Sequence, residues 1–256
     1  AGLFCFQSPS PLLGRGARGE GWSKRLCARI KSAAPRGAPL TPVPSPQRGE
    51  GGNVDWQVNS MLPRILEPEV MDSLDEAVDY DSMDHSTVNR VFVDDFLAAA
   101  ERLRGTDRPL RVLDVGTGTA LIPIELCRRA GFVRVTAVDL ASHMLQIGQR
   151  NLIRAGLEAV VRLEHIDAKG LPYGDAEFPA VMSNSIVHHI PEPLTVLREM
   201  RRVLKPGGIL FVRDLLRPPD IATLDRIVET YAGDANPHQR QMFHDSLHAA
   251  LTLDEV

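Results

Sequence analysis

Three aspartates, each closing a short apolar run, are the positions in this 256-residue chain whose type and spacing could do chemistry. The first run, Arg111-Val112-Leu113-Asp114-Val115, opens into Gly116-Thr117-Gly118-Thr119-Ala120. Gly116 and Gly118 permit a tight turn and let a ligand approach the backbone without meeting a Cβ, although a plain strand-to-helix turn uses the same residues. A dinucleotide fingerprint would place a third glycine where Leu121 stands, so a ligand without phosphates suits the loop better. Asp139 follows, about twenty residues on, where an acid accepts hydrogen bonds from both hydroxyls of a ribose. The alternative is a cap for the helix starting at Ser142. Asp167 is third, in His165-Ile166-Asp167-Ala168, and Asn184 ends a fourth run. His188 and His189 come next, where a general base could reach a substrate nucleophile. They equally suit a loop lining. Adjacent residues point apart, so at most one of the two should face a substrate. His244 and His248 have the i, i+4 spacing of a helical metal site, but no third ligand is evident and no metal centre is expected.

The elements that must hold these residues alternate. Beyond Pro63–Asp84, a helix is expected from an N-cap at Ser86 to Gly105. Strands are expected at 111–115, 133–138, 160–163, 180–183 and 209–212, with a helix after the glycines through Arg129 and helices over 142–155 and 193–204 between them. Short apolar strands alternating with helices imply βαβ units, hence a doubly wound α/β fold, Rossmann-like, with a mostly parallel sheet and helices on both faces. Ligands of such sheets lie beyond the carboxyl ends of the strands, where all four residue groups fall. Pro179 removes an N–H at the mouth of the fourth strand and should shorten it by a residue.

In order and spacing these motifs, with Val203-Leu204-Lys205-Pro206-Gly207-Gly208, resemble the class I S-adenosylmethionine-dependent methyltransferases, and among them the small-molecule enzymes that include those of quinone biosynthesis. The likeness covers about Tyr80 to Arg217. It implies S-adenosylmethionine as cofactor and a binding set of Asp114, Gly116, Thr117, Gly118, Asp139, Leu140, Asp167, Ala168, Asn184 and Tyr80. By that likeness Gly116 and Gly118 flank the methionine, Asp139 holds the ribose and Asp167 the adenine amino group. Leu140 and Ala168 sandwich the ring, Asn184 sits beside the methionine end or the substrate, and Tyr80 closes over the cofactor. The implied reaction is in-line methyl transfer to a small-molecule acceptor. A nicotinamide-dependent oxidoreductase and a binding module without turnover stand as alternatives.

The rest of the chain sets the frame. A formal charge of −4 argues against a nucleic-acid-binding surface, and no apolar run is long enough to span a bilayer. Three scattered cysteines fit reduced thiols in the cytoplasm better than a disulfide framework. Residues 1–52 are rich in Pro, Gly, Ser and Arg and should be a disordered tail, dispensable for stability. Pro9-Ser10-Pro11…Arg18-Gly19-Glu20-Gly21 and Pro44-Ser45-Pro46…Arg48-Gly49-Glu50-Gly51 repeat one another, like a translated repeat element. Residues 53–105 form an N-terminal helical segment and 106–256 the methyltransferase domain. That domain is expected to be incomplete: after Asp214 the sequence reads as helix, no pair of β-rich runs remains for a sixth strand and an antiparallel seventh, and the fifth strand should be left as an unpaired edge.

Overall fold

The structure, a computed structural model, describes the backbone of residues 2–7 and 27–29, and residues 61–256 apart from 71, 104 and 106–108. Its centre is a parallel sheet of β3 (Leu110–Val115), β4 (Val133–Asp139), β5 (Val161–His165), β6 (Phe178–Asn184) and β7 (Leu204–Leu215). The order β7-β6-β3-β4-β5 makes β3 the strand at which the winding reverses, with β4 on one side and β6 on the other. The loop after β3 therefore lies between the ends of β4 and β6.

Alternation along the strands sorts their side chains to two faces. Val112, Val135, Met182 and Phe211 face α2 (Ser86–Ala100), α3 (Leu121–Arg129) and α4 (Ser142–Ala155), meeting Phe92, Phe96, Ile124 and Leu152. Leu113, Val181 and Val212 face the opposite way, onto Val196, Met200 and Val203 of α5 (Pro193–Val203). With both faces covered, the strands read as nearly continuous apolar runs. Beyond the sheet, α6 (Ile221–Ala232) and α7 (Pro237–Ala249) pack through Leu224, Val228 and Leu247.

Several boundaries differ from expectation. A helix was not expected before Ser86, yet α1 (Leu74–Ser82) is closed by a capping box in which Glu76 N donates to Ser73 Oγ (3.1 Å) and Ser73 N to Glu76 Oε2 (3.1 Å). The cap of α2 is His85, one residue ahead of Ser86, whose N–H donates to Asp84 Oδ1 at 2.9 Å. Pro179 does not shorten β6: the strand runs through it, and the register with β7 shifts between Phe178 and Ala180 instead. A bulge accommodates the missing donor without ending the strand.

The largest correction concerns the outer edge of β7. No strand follows β7 among the described residues, but the edge is not bare. Residues 2–7 form β1 (Gly2–Gln7), parallel to β7 from Leu210 to Leu215, and β2 (Cys27–Arg29) lies antiparallel beyond it. The position expected for an antiparallel C-terminal strand is thus filled by a parallel one from the N-terminus. These two segments have strand backbone where disorder is expected; the remainder of residues 1–52, with the repeat, lies outside the described residues.

Candidate active site

At the end of β3 the backbone turns through Gly116 (φ 75°), Gly118 (φ 55°) and Ala120 (φ 63°), all in the left-handed region. Gly116 and Thr117 donate to Val138 O at 2.8 and 3.0 Å, which holds the loop against β4. A Cβ on Gly116 would lie 2.1 Å from Cγ2 of Ile186, in the loop after β6. The protein's own packing therefore demands glycine here, whatever the ligand.

Asp139 closes β4 and accepts from Gly118 N through Oδ2 (2.7 Å) and from Ala141 N through Oδ1 (2.9 Å). It is at once tied to the glycine loop and a cap for the start of α4. Burial raises its pKa more than these backbone donors lower it. Asp114 lies beneath the loop, 2% exposed, and its carboxyl is pushed up to about 7 by burial, with Thr117 opposing and Asp139 reinforcing the shift. Tyr80, from α1, comes over the loop so that a Cβ on Gly118 would lie 3.7 Å from its ring. Its hydroxyl is pushed up to about 12 by burial, then by Asp139, Asp114 and Asp81. Asn151 of α4 fixes α1 in this position, donating to Asp81 Oδ1 (2.8 Å) and to Thr119 O (3.1 Å).

The neighbouring strand end joins through the backbone, where Ile166 N donates to Asp139 O (3.0 Å) and His165 Nε2 to Leu140 O (2.7 Å). This brings Leu140, Asp167 and Ala168 to the same rim. Asp167 is not free: Lys169 N donates to Oδ1 at 2.8 Å, and Lys169 Nζ lies 3.3 Å from Oδ2 while also pairing with Glu69. On the far side Ser183 Oγ donates to Val115 O (2.9 Å), and Asn184 Nδ2 to Ser185 Oγ (3.1 Å).

The histidines depart from expectation. A short 3-10 turn, Val187–His189, carries both rings to the same side, with centroids 4.2 Å apart and planes at 33°. They do not point apart. His188 is 1% exposed. Its Nδ1 lies 2.5 Å from Asp214 Oδ1, at the end of β7, and Asp214 also accepts from Val187 N and Leu215 N, both at 2.7 Å. Burial opposes the charge on His188, but Asp214 outweighs it and the net pKa is raised. For His189, burial and then the neighbouring His188 lower it to about 3. Both rings face Glu67, His189 Nδ1 at 3.1 Å and His188 Nε2 at 3.6 Å from Oε1. The other pair, His244 and His248, has rings 5.7 Å apart at 88°.

Glu67 was missed by the sequence reading, as was the strap that carries it. Residues 61–70 have no regular secondary structure and are held by Leu62 N to Pro219 O (3.1 Å) and by Arg64, which donates to Ala249 O (2.8 Å), His188 O and Ile190 O (both 3.0 Å). Further along, Asp72 Oδ1 accepts from His143 N at 3.0 Å, in the first turn of α4. Scattered single charges in an irregular segment carry no periodicity to find. Asp214 was findable, because the rule that selects Asp139 and Asp167 at strand ends selects it too.

A sheet that reverses at β3, with a glycine loop at its end and acids on the flanking strands, makes a doubly wound α/β domain, a class whose ligands lie beyond the strand ends. Residues 113–212 match a protein-family model described as Methyltransferase domain. The chain is 34% identical over 135 residues to 27-O-demethylrifamycin SV methyltransferase of Amycolatopsis mediterranei, covering 53% of this chain and 48% of the relative. It is 28% identical over 151 residues to ubiquinone biosynthesis O-methyltransferase of Xanthomonas campestris pv. campestris, covering 59% and 60%. Thus the chain spans about half to three fifths of the length of these curated relatives. Among solved structures, the plantazolicin methyltransferase BpumL in complex with SAH aligns with a TM-score of 0.54 at 16% identity, covering 70% of this chain and 64% of that one. This last likeness is one of fold. Over residues 113–212, then, the chain is similar to methyltransferase domains. No helix among the described residues is long and apolar enough to cross a membrane.

Proposed function

We propose that this chain transfers a methyl group from S-adenosylmethionine to a small-molecule acceptor, and that the rim formed by the ends of β3, β4 and β5 holds the cofactor. The observation that carries this reading is the pair of buried carboxylates, Asp114 and Asp139, gathered under a positive-φ glycine loop with Tyr80 above it. Buried anions without a nearby cation are costly, and a cationic methionine end would relieve them. The cofactor supplies an electrophilic methyl group on a sulfonium. Asp139 keeps lone pairs beyond its two backbone donors for the ribose hydroxyls. Asp167, braced by Lys169, faces the adenine amino group between Leu140 and Ala168. Asn184 lies toward the methionine end, and Thr117 stands beside Asp114 under the loop.

Charge disappears in the displacement, so holding nucleophile and methyl in line supplies most of the acceleration, and no strong base is required. His188 and His189 are weaker candidates for a base than their sequence position implies, because both turn toward Glu67. Two of the relatives are named for O-methylation and another for C-methylation, so a hydroxyl is the first acceptor class to test and carbon the second. We also read the protein as cytoplasmic and as binding no nucleic acid, on its cysteine usage and charge. A labelled-methyl transfer screen over phenols, catechols and quinols tests the proposal. Label in at least one acceptor, lost in Asp139→Ala, is expected; a folded protein that binds the cofactor yet labels nothing across wider metabolite pools would point to a module without turnover.

A further inference from the structure

The Glu67–His188–His189 cluster is not used by the cofactor rim and has the form of a metal site. Glu67 Oε1, His188 Nε2 and His189 Nδ1 are buried, and none has a hydrogen-bond partner among the described residues. The side chains are 10%, 2% and 15% exposed. All three ligand atoms lie within 4.8 Å of one another. Four ligands at about 2.0–2.1 Å around a tetrahedral zinc are separated by about 3.3 Å. The observed 3.1 Å from Glu67 to His189 and 3.6 Å from Glu67 to His188 bracket that value. Three lone-pair-bearing atoms do not converge in a buried space without something positive between them.

The surroundings fit as well. Asp214 accepts from Val187 N and Leu215 N and faces His188 Nδ1 at 2.5 Å, so the ring's other nitrogen, Nε2, is the one turned toward Glu67. A carboxylate behind a histidine in this way is the usual outer support of a metal ligand. Arg64 holds the turn from its backbone side, through His188 O and Ile190 O. Ser246 of α7 supports the Glu67 carboxyl.

We infer that Glu67, His188 and His189 bind a divalent transition-metal ion of the zinc class, with Asp214 as the orienting carboxylate and a fourth position for water or another oxygen donor. The two-histidine, one-glutamate set is that of catalytic zinc sites with an open position. Ile186, against Gly116, connects the same turn to the cofactor loop. The competing occupant is a proton on His188 Nε2, shared with Glu67.

The test uses the full chain stripped of metal with a chelator, then titrated with Zn²⁺ in a calorimeter and with Co²⁺ in a spectrophotometer. One equivalent of Zn²⁺ should bind, and Co²⁺ should give the intense visible bands of four-coordination. Glu67→Gln and His189→Ala should each weaken binding more than tenfold, and Asp214→Asn by about tenfold or more, as loss of outer support does. His244→Ala should leave it unchanged. Absence of a stoichiometric site in the unaltered protein would overturn the inference in favour of the proton, whatever the variants do. So would binding that survives Glu67→Gln and His189→Ala but is lost in His244→Ala.

Discussion

Asp114 is uncharged at neutral pH only in part, because its pKa is pushed to about 7, and this gives cofactor binding a pH dependence of definite sign. The cationic methionine end favours the ionised carboxylate, so a proton must leave Asp114 before binding whenever the pH lies below its free value. Affinity should therefore be full above pH 7 and weaken by up to about tenfold per unit between pH 7 and 5.5, where the cofactor's amino group stays protonated. Titration calorimetry across that window checks it, with Asp114→Asn expected to flatten the curve. At Asp139 an alanine removes a ribose acceptor and also the partner of Gly118 N and Ala141 N. Affinity should fall more than tenfold, and unfolding free energy by about 1–3 kcal/mol, since buried donors lose their acceptor. Gly116→Ala meets both a φ of 75° and Ile186 at 2.1 Å, so a loss of about 2–5 kcal/mol is expected in chemical denaturation. Adding Ile186→Ala should return the steric share and leave the backbone strain.

Among the elements, α1 couples local helix chemistry to the cofactor rim, because it carries Tyr80 over Gly118. Ser73→Ala breaks its capping box and should cost about 1 kcal/mol. Hydrogen exchange should accelerate first in the amides of α1, with a parallel loss of cofactor affinity; exchange that rises evenly through the protein would show that α1 does not open by itself. The contrast between α1 and the sheet explains what was legible in the sequence. Strands buried on both faces announce themselves as apolar runs, and Gly131 and Gly156 mark helix ends, so β3 to β6 and the ends of α3, α4 and α5 were found closely, whereas β7 runs from Leu204 to Leu215 where only 209–212 were expected and α2 ends at Ala100, short of Gly105. The places of Asp139, at the end of β4, and Asp167, just past β5, were legible because they follow directly from the apolar runs. The Ser73-Leu74-Asp75-Glu76 box was readable and overlooked. By contrast, the strap through Arg64 and Glu67 has no local pattern, and its place is set by contacts more than a hundred residues away, such as Arg64 to His188. The joint aim of His188 and His189 likewise depends on a 3-10 turn that alternation rules do not anticipate.

At the scale of the whole molecule, β1 gives β7 an outer partner that the sequence reading assigned to a missing C-terminal hairpin. Deleting residues 1–60 exposes the backbone of Leu210–Leu215, and a lower Tm with concentration-dependent self-association is expected in thermal melts and light scattering. An unchanged Tm would mean that β7 is content as an edge. The central claim, that the rim of β3, β4 and β5 is a cofactor site of the methyltransferase kind, is tested most directly by calorimetric titration of the full chain with S-adenosylmethionine, alongside Asp139→Ala and with NAD⁺ as the rival ligand. One equivalent of S-adenosylmethionine bound by the unaltered chain, weakened more than tenfold in the variant, with no heat from NAD⁺, is the predicted result. Affinity for S-adenosylmethionine unaffected by Asp139→Ala in a folded protein, or saturable binding of NAD⁺ instead, would contradict it.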